Sequence, residues 1–369
     1  MNRSGFSRVT IERVTPYSPG KPIEEVQREL GLSHIVKLAS NESPYGPSPK
    51  AMEAMRAAIE RTRLYPNNLS QDLTDALADH LGQPPRRIFV GRGSDEVIHM
   101  TGLAFLNPGE EVIYADPPFA LYPMTAQLMD ATEVPVPLVE YVHDLNAMAK
   151  AVTERTKLIF VANPHNPTGT IVTGAQMERF LDSLPDHVVT CVDEAYYEYV
   201  IDDAYPNSLR WVDEGRNVIV YRTFSKIYAL AGLRVGYGIV PDHLSGAMAQ
   251  VRAPFNVSTI AQDAAIASLA DPDQVPRGRE LNRQGIKYFE GQFERLGLRG
   301  PASCANFVFV DTRRDCRAVF EALLRRGYIV RTGDIFGMNT HIRVSVGTEQ
   351  ENEGFIQALE AVLTEVPAA

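Results

Sequence analysis

The chain has 369 residues, 44% of them hydrophobic and 22% charged, and 46 Asp and Glu against 36 Lys and Arg give a net charge of -10. That composition excludes a disordered chain, allows one large plus one small domain or two comparable ones, and argues against a dedicated partner of nucleic acid or acidic membranes. Cys191, Cys304 and Cys316 are scattered with no CxxC, the opening MNRSGFSRVTIERV has no apolar signal run, and no apolar segment reaches bilayer-spanning length; a cytoplasmic protein with reduced thiols and no metal site is expected.

Residues 1–45 include PYSPGKP, show little periodicity at first, and are expected to pack with a smaller C-terminal unit. Ser48 then caps a helix that Pro49 opens, with Met52, Met55 and Ile59 on one face; Leu73, Leu77 and Leu81 mark a second helix stopped by Gly82. The runs RIFVG (87–91), EEVIYA (110–115), KLIFVA (157–162), HVVTCVD (187–193) and NVIVYR (217–222) are short and rich in β-branched residues, with room between them for helices. This rhythm predicts an α/β fold: a large domain over 46–275 with a mostly parallel sheet flanked by helices. Over 276–369 the pattern changes. ANFVFVDT, CRAVFEALLRRG, YIVRTG and HIRVSVGT predict a smaller α+β domain, closed by a helix whose capping box is Thr348 with Glu351.

Ligands of parallel sheets bind at the carboxyl ends of the strands, and five such ends here carry distinctive residues. GRGSDE (91–96) places Gly93, Ser94 and Asp95 at a strand-to-helix turn, which serves either as a tight turn or as an anion cradle; it lacks the third glycine of a dinucleotide fingerprint. DPPFALY (116–122) offers Phe119, either core or a face for a flat ring. NPHNPTG (163–169) is a rigid turn in which the Asn166 amide either stabilises the loop or meets a ligand. DEAYYEY (193–199) sets Asp193 at the end of an apolar strand, a buried acid in need of a partner unless it is a cap, with Tyr196 three residues on. RTFSKIYALAGLRVGY (222–237) brings Thr223, Ser225, Lys226 and Arg234 together among small and apolar residues, so this stretch is expected to be shielded from solvent.

The five features match the needs of pyridoxal 5'-phosphate: hydroxyls, N–H groups and a forked arginine for its phosphate, a carboxylate for its pyridine nitrogen, and a lysine for its aldehyde. With KLASNESPYGPSP (37–49), PFNVSTIAQ (254–262) and the motifs above, the chain resembles the fold type I aminotransferases, in particular their histidinol-phosphate aminotransferase branch, over nearly its whole length.

The resemblance implies that Lys226 binds the cofactor covalently and moves the substrate's α-proton. It also implies that Asp193 pairs with the ring nitrogen, that Asn166 and Tyr196 bond the ring hydroxyl, and that Phe119 stacks on the ring. Gly93, Ser94, Asp95, Ser225 and Arg234, with Thr223, would hold the phosphate. Tyr65, in RLYPNN, would reach the phosphate of a neighbouring subunit and so implies a homodimer. Arg343 would bind the substrate's anion, helped by Arg331, Tyr17 and Asn41. Phe119, Arg92, Asn67 and Thr332 depart from the branch's common tyrosine, asparagine, aspartate and proline. The expected reaction passes an amino group from L-histidinol phosphate to 2-oxoglutarate; the alternatives are an aromatic amino-acid aminotransferase, a phospho-amino-acid decarboxylase and, last, a non-catalytic cofactor-binding regulator.

Overall fold

The structure is a computed structural model that describes residues 7–16 and 20–369. Its strands in chain order are β1 (Val36–Lys37), β2 (Ile88–Gly91), β3 (Glu111–Asp116), β4 (Thr132–Pro137), β5 (Thr156–Ala162), β6 (Val189–Asp193), β7 (Val218–Thr223), β8 (Gly236–Ile239), β9 (Phe307–Asp311), β10 (Tyr328–Ile329), β11 (Arg331–Thr332) and β12 (His341–Ser345). A seven-stranded sheet in the order β2-β8-β7-β6-β5-β3-β4 forms the body of the molecule, and β8 alone runs antiparallel to its neighbours.

The apolar runs make this sheet because both of its faces are covered. Along β5, Ile159 and Val161 enter one core while Leu158 and Phe160 enter the other. On β7, Val218 and Val220 oppose Ile219 and Tyr221 in the same way. This period-two alternation between two dry faces is what a continuous β-branched run encodes in a parallel sheet. All five predicted strands are present. The sequence reading missed β4 and β8: TEVPVP holds two prolines, which an edge strand tolerates, and GYGI holds two glycines, which local propensity disfavours.

The helix Pro49–Ala58 begins as expected, with Ser48 accepting from Ala51 N at 3.1 Å. Its buried face differs from the expected one. Ala51 and Ala58 are buried, Met55 packs beside them, and Ile59 is 58% exposed, because a neighbouring helix, Thr259–Leu269, lies close enough to admit only small residues. The helix Gln71–Leu81 buries Leu73 and Leu77 and ends at Gly82 in a left-handed turn, and the capping box of Thr348 and Glu351 opens the last helix, Glu349–Glu365.

A second, three-stranded antiparallel sheet, β11-β12-β9, packs on the helices Gln274–Arg295, Cys316–Leu324 and Glu349–Glu365 around its own core, with Phe289, Val310, Val344 and Phe355 at its centre. β1 pairs with β10, and Ser345 N donates to Leu38 O, which fixes residues 36–41 against this sheet. Residues 8–15 lie elsewhere, along the helix Leu121–Leu128, where Thr15 N donates to Gln127 Oε1 at 3.2 Å.

Candidate active site

A cavity of about 830 Å³ opens where β3, β5, β6 and β7 end and the small sheet faces them. Its wall includes Ser94, Asp95, Phe119, Asn166, Asp193, Tyr196, Thr223, Ser225, Lys226 and Arg234 from the large sheet's loops, and Asn41, Arg331 and Arg343 from the other side. Of the residues singled out in the sequence, Gly93 sits just behind this wall, Tyr65 lies away from it, and Tyr17 lies outside the described residues.

Asp193 closes β6 and is buried. It accepts from the Tyr122 hydroxyl at 2.8 Å and from Ala195 N at 3.1 Å. Burial pushes its carboxyl up to about 6, and these two hydrogen bonds only partly offset that effect. Tyr122 was not singled out in the sequence, although it ends the quoted DPPFALY. It is fully buried, stacked on Phe160 with centroids 4.5 Å apart, and edge-on to Phe119 at 5.6 Å, so the same loop presents a ring to the cavity and a donor to the acid. Behind Asp193, Glu194 points to the opposite face and forms an ion pair with Arg222 at 2.8 Å, both side chains buried, which ties the ends of β6 and β7 together.

Lys226 Nζ donates to Ser40 O at 3.2 Å and stands 5.6 Å from the Tyr196 ring centroid. The Tyr196 hydroxyl accepts from Asn41 Nδ2 at 3.0 Å. Arg343, on β12, is buried and donates from Nη1 to Asn166 Oδ1 and from Nη2 to Ala39 O at 2.7 Å. It pairs in register with Arg331 across β11 and β12, so two guanidinium groups occupy one end of the cavity. The NPHNPTG turn is rigid for visible reasons. The Asn163 side chain bonds both Val172 N and Val172 O, and a Cβ at Gly169 would meet Ser303 Oγ at 2.2 Å.

At the opposite end the helix Ser94–Phe105 points its N-terminus at the cavity. Gly93 adopts φ 75°, and a Cβ there would lie 2.8 Å from Arg234 Nη2; a Cβ on Gly236 would lie 2.4 Å from Ser94 N. The two glycines thus let the helix terminus, the Arg234 fork and the hydroxyls of Thr223 and Ser225, 3.0 Å apart, share one corner. Arg234 Nη2 donates to Asp95 Oδ2 at 2.7 Å. The expectation that this whole stretch is shielded holds for Phe224 and Leu230 but not for Gly232 and Arg234, which are exposed, because charge at a cavity mouth stays hydrated until a ligand covers it. Ser40 was also missed; it contributes through its backbone carbonyl, which no side-chain pattern reveals.

These features, a lysine and a buried acid at the ends of parallel strands with an anion corner between them, define a cofactor-dependent group-transfer enzyme of the α/β class. The family model for aminotransferase class I and II matches residues 33–359. The chain is 50% identical to histidinol-phosphate aminotransferase of Moorella thermoacetica over 96% of this chain and 92% of that one, and 44% identical to the enzyme of that name from Akkermansia muciniphila over 98% and 100%. A crystal structure of histidinol-phosphate aminotransferase from Sinorhizobium meliloti in complex with pyridoxal-5'-phosphate superimposes with a TM-score of 0.91 at 30% identity, covering 99% of this chain and all of that one. The chain belongs to the aminotransferase class I and II family, among its histidinol-phosphate aminotransferases.

Proposed function

We propose that the protein transfers the amino group of L-histidinol phosphate to 2-oxoglutarate with pyridoxal 5'-phosphate as cofactor. The observation that carries the reading is the Asp193–Lys226–Arg343 wall of one cavity, in a chain half identical over nearly full length to an enzyme of that name.

The residues present fit the cofactor. Asp193 is a buried carboxyl whose own donors are a phenol and an amide, so a protonated ring nitrogen would restore its charge. The corner of Gly93, Ser94, Thr223, Ser225 and Arg234 is built too tightly for side chains at 93 and 236 and matches a phosphate. Asp95 would serve that phosphate through its backbone N–H, since its carboxylate already occupies Arg234.

When bound, the cofactor supplies an electron sink for the carbanion left when a substrate α-proton departs. Lys226 then takes and returns that proton from a position fixed by Ser40 O. Phe119 would lie on one ring face, with Tyr122 edge-on to it and bonded to Asp193, and Asn166 and Tyr196 would hold the ring hydroxyl. Arg343 and Arg331 take the substrate's anion. Two guanidinium groups at one end suit a dianionic phosphate better than the single carboxylate of phenylalanine, which favours histidinol phosphate over an aromatic amino acid.

We further assign residues 46–275 to a large cofactor domain and 276–369 to a small one, with most of 1–45 packed on the latter, a division supported by the separate cores and by the pairing of β1 with β10. A cytoplasmic homodimer completes the reading. Tyr65 is 83% exposed, stacks on Phe255 at 4.8 Å, and stands with exposed Leu64 and Leu69 in an apolar patch suited to a second copy whose phosphate corner it would enter. No helix among the described residues is long and apolar enough to cross a membrane.

The test compares kcat/KM for histidinol phosphate and phenylalanine with one acceptor, and adds Lys226→Ala. A preference for the phosphate ester and a loss of about a hundredfold or more in the variant are expected. A preference for phenylalanine would overturn the substrate, and an active K226A the mechanism.

A further inference from the structure

Three successive residues, Ala39, Ser40 and Asn41, each touch a different group of the site: Arg343, Lys226 and Tyr196. The first two contacts use backbone carbonyls and would survive substitution. The third uses the Asn41 side chain, so only there does residue identity matter.

Asn41 is 1% exposed, and its backbone lies at φ 55°, in the left-handed region that asparagine tolerates better than most residues. Its N–H donates to Ser345 Oγ at 2.8 Å, the Ser345 hydroxyl donates to Asn41 Oδ1 at 3.1 Å, and its carbonyl accepts from Asn306 Nδ2 at 2.9 Å. Counting protons orients the amide. Ser345 Oγ receives the Asn41 N–H and gives its own proton to Oδ1, which leaves Nδ2 facing Tyr196 at 3.0 Å. The reverse amide orientation would strip the Ser345 proton of this acceptor. A phenol oxygen that receives an N–H directs its own proton elsewhere.

Resting on the cofactor reading above, we propose that Asn41 is a positioning residue: by occupying the Tyr196 oxygen as a donor, it aims the Tyr196 proton into the cavity, at the ring oxygen of pyridoxal phosphate. Burial raises the Tyr196 hydroxyl above its ordinary range, so the proton is present at neutral pH. The charged groups around it are Arg343, Asp193, Asp95 and Lys226. Because Ser345 follows Arg343 by two residues on β12, the strand that receives the substrate's anion also sets this amide.

A proton donor at the ring oxygen favours the deprotonated form of the bound cofactor, so losing it raises the pH midpoint of the holoenzyme's visible absorption band. Asn41→Gly removes the amide and keeps the left-handed backbone with its bonds to Ser345 and Asn306. Tyr196→Phe is expected to raise the midpoint by about one unit. N41G should shift it in the same direction, and the double variant no further than Y196F alone. Asn41→Ser, too short to reach the hydroxyl, gives the same reading if N41G does not load cofactor. A wild-type midpoint in the Asn41 variant, or a shift that adds to that of Y196F, overturns the proposal while the cofactor reading stands. An unmoved midpoint in Y196F overturns the proposal together with the assignment of Tyr196 to the ring hydroxyl, whereas a wild-type protein that takes up no cofactor and shows no visible band overturns the cofactor reading.

Discussion

Gly236→Ala tests whether the anion corner depends on contact between backbones. Gly236 begins β8, paired with Gly91 on β2 and Thr223 on β7, where the helix Ser94–Phe105 comes closest to the sheet. A Cβ at this position would meet Ser94 N at 2.4 Å, Gly93 C at 2.7 Å and Arg222 O at 3.0 Å. All three are backbone atoms, so no rotamer relieves the clash. Ordinary carbon contacts begin near ~3.5 Å, so the helix terminus must retreat by about 1 Å. Overpacking of this kind costs about 1–3 kcal/mol, which in a protein of this size lowers the melting temperature by roughly 1–4 °C. The same retreat stretches an N–H to phosphate bond beyond hydrogen-bonding length, and one charge-assisted bond amounts to about a tenfold or greater loss in cofactor affinity. Melting with and without cofactor, together with a fluorescence titration of cofactor, reads both effects. Gly232→Ala, whose Cβ would meet nothing within 4 Å, is the matched control. A G236A protein that melts and binds like G232A would refute the reasoning.

Arg343→Lys keeps the charge but loses the fork that reaches both Asn166 and Ala39; KM for the anionic substrate should rise about tenfold or more with a smaller change in kcat, as steady-state kinetics would report. Cofactor affinity should fall as pH drops below about 6, because the Asp193 carboxyl must be ionised to meet a protonated ring nitrogen, and equilibrium dialysis of Asp193→Asn should show weaker binding without that pH step. Burial raises the Glu198 carboxyl to about 8, so the folded chain holds a proton that the unfolded chain has already released between about pH 4.5 and 8. Stability from this group is complete below that window and is lost as pH rises through it, so Glu198→Gln should gain melting temperature over wild type more at pH 9 than at pH 6. Parallel melting curves across that range would contradict the burial argument.

Much of the site was legible because its chemistry sits where local pattern and strand ends coincide. Asp193, Lys226 and Asn166 each follow an apolar run by a few residues, and a ligand in a parallel sheet has no other edge to choose. Tyr122 was hidden because a tyrosine in the first turn of a helix reads equally as core, and its bond to Asp193 spans 71 positions. Asn41 was seen as a residue of the substrate end, but its partners Tyr196, Ser345 and Asn306 lie more than 150 positions away.

What the residues determined unaided were the local elements: β-branched runs with two dry faces, the caps at Ser48 and Thr348, and the kinds of side chain offered at each strand end. Periodicity and capping act within a few residues, so a linear reading contains them. Tertiary packing decided the rest: the antiparallel place of β8, the small-residue seam beneath Pro49–Ala58, the exposure of Arg234, and the strap from Ala39 to Asn41 that joins the two sheets. Each of these depends on which distant surfaces meet, and burial, not local preference, selects among the pairings that the chain permits.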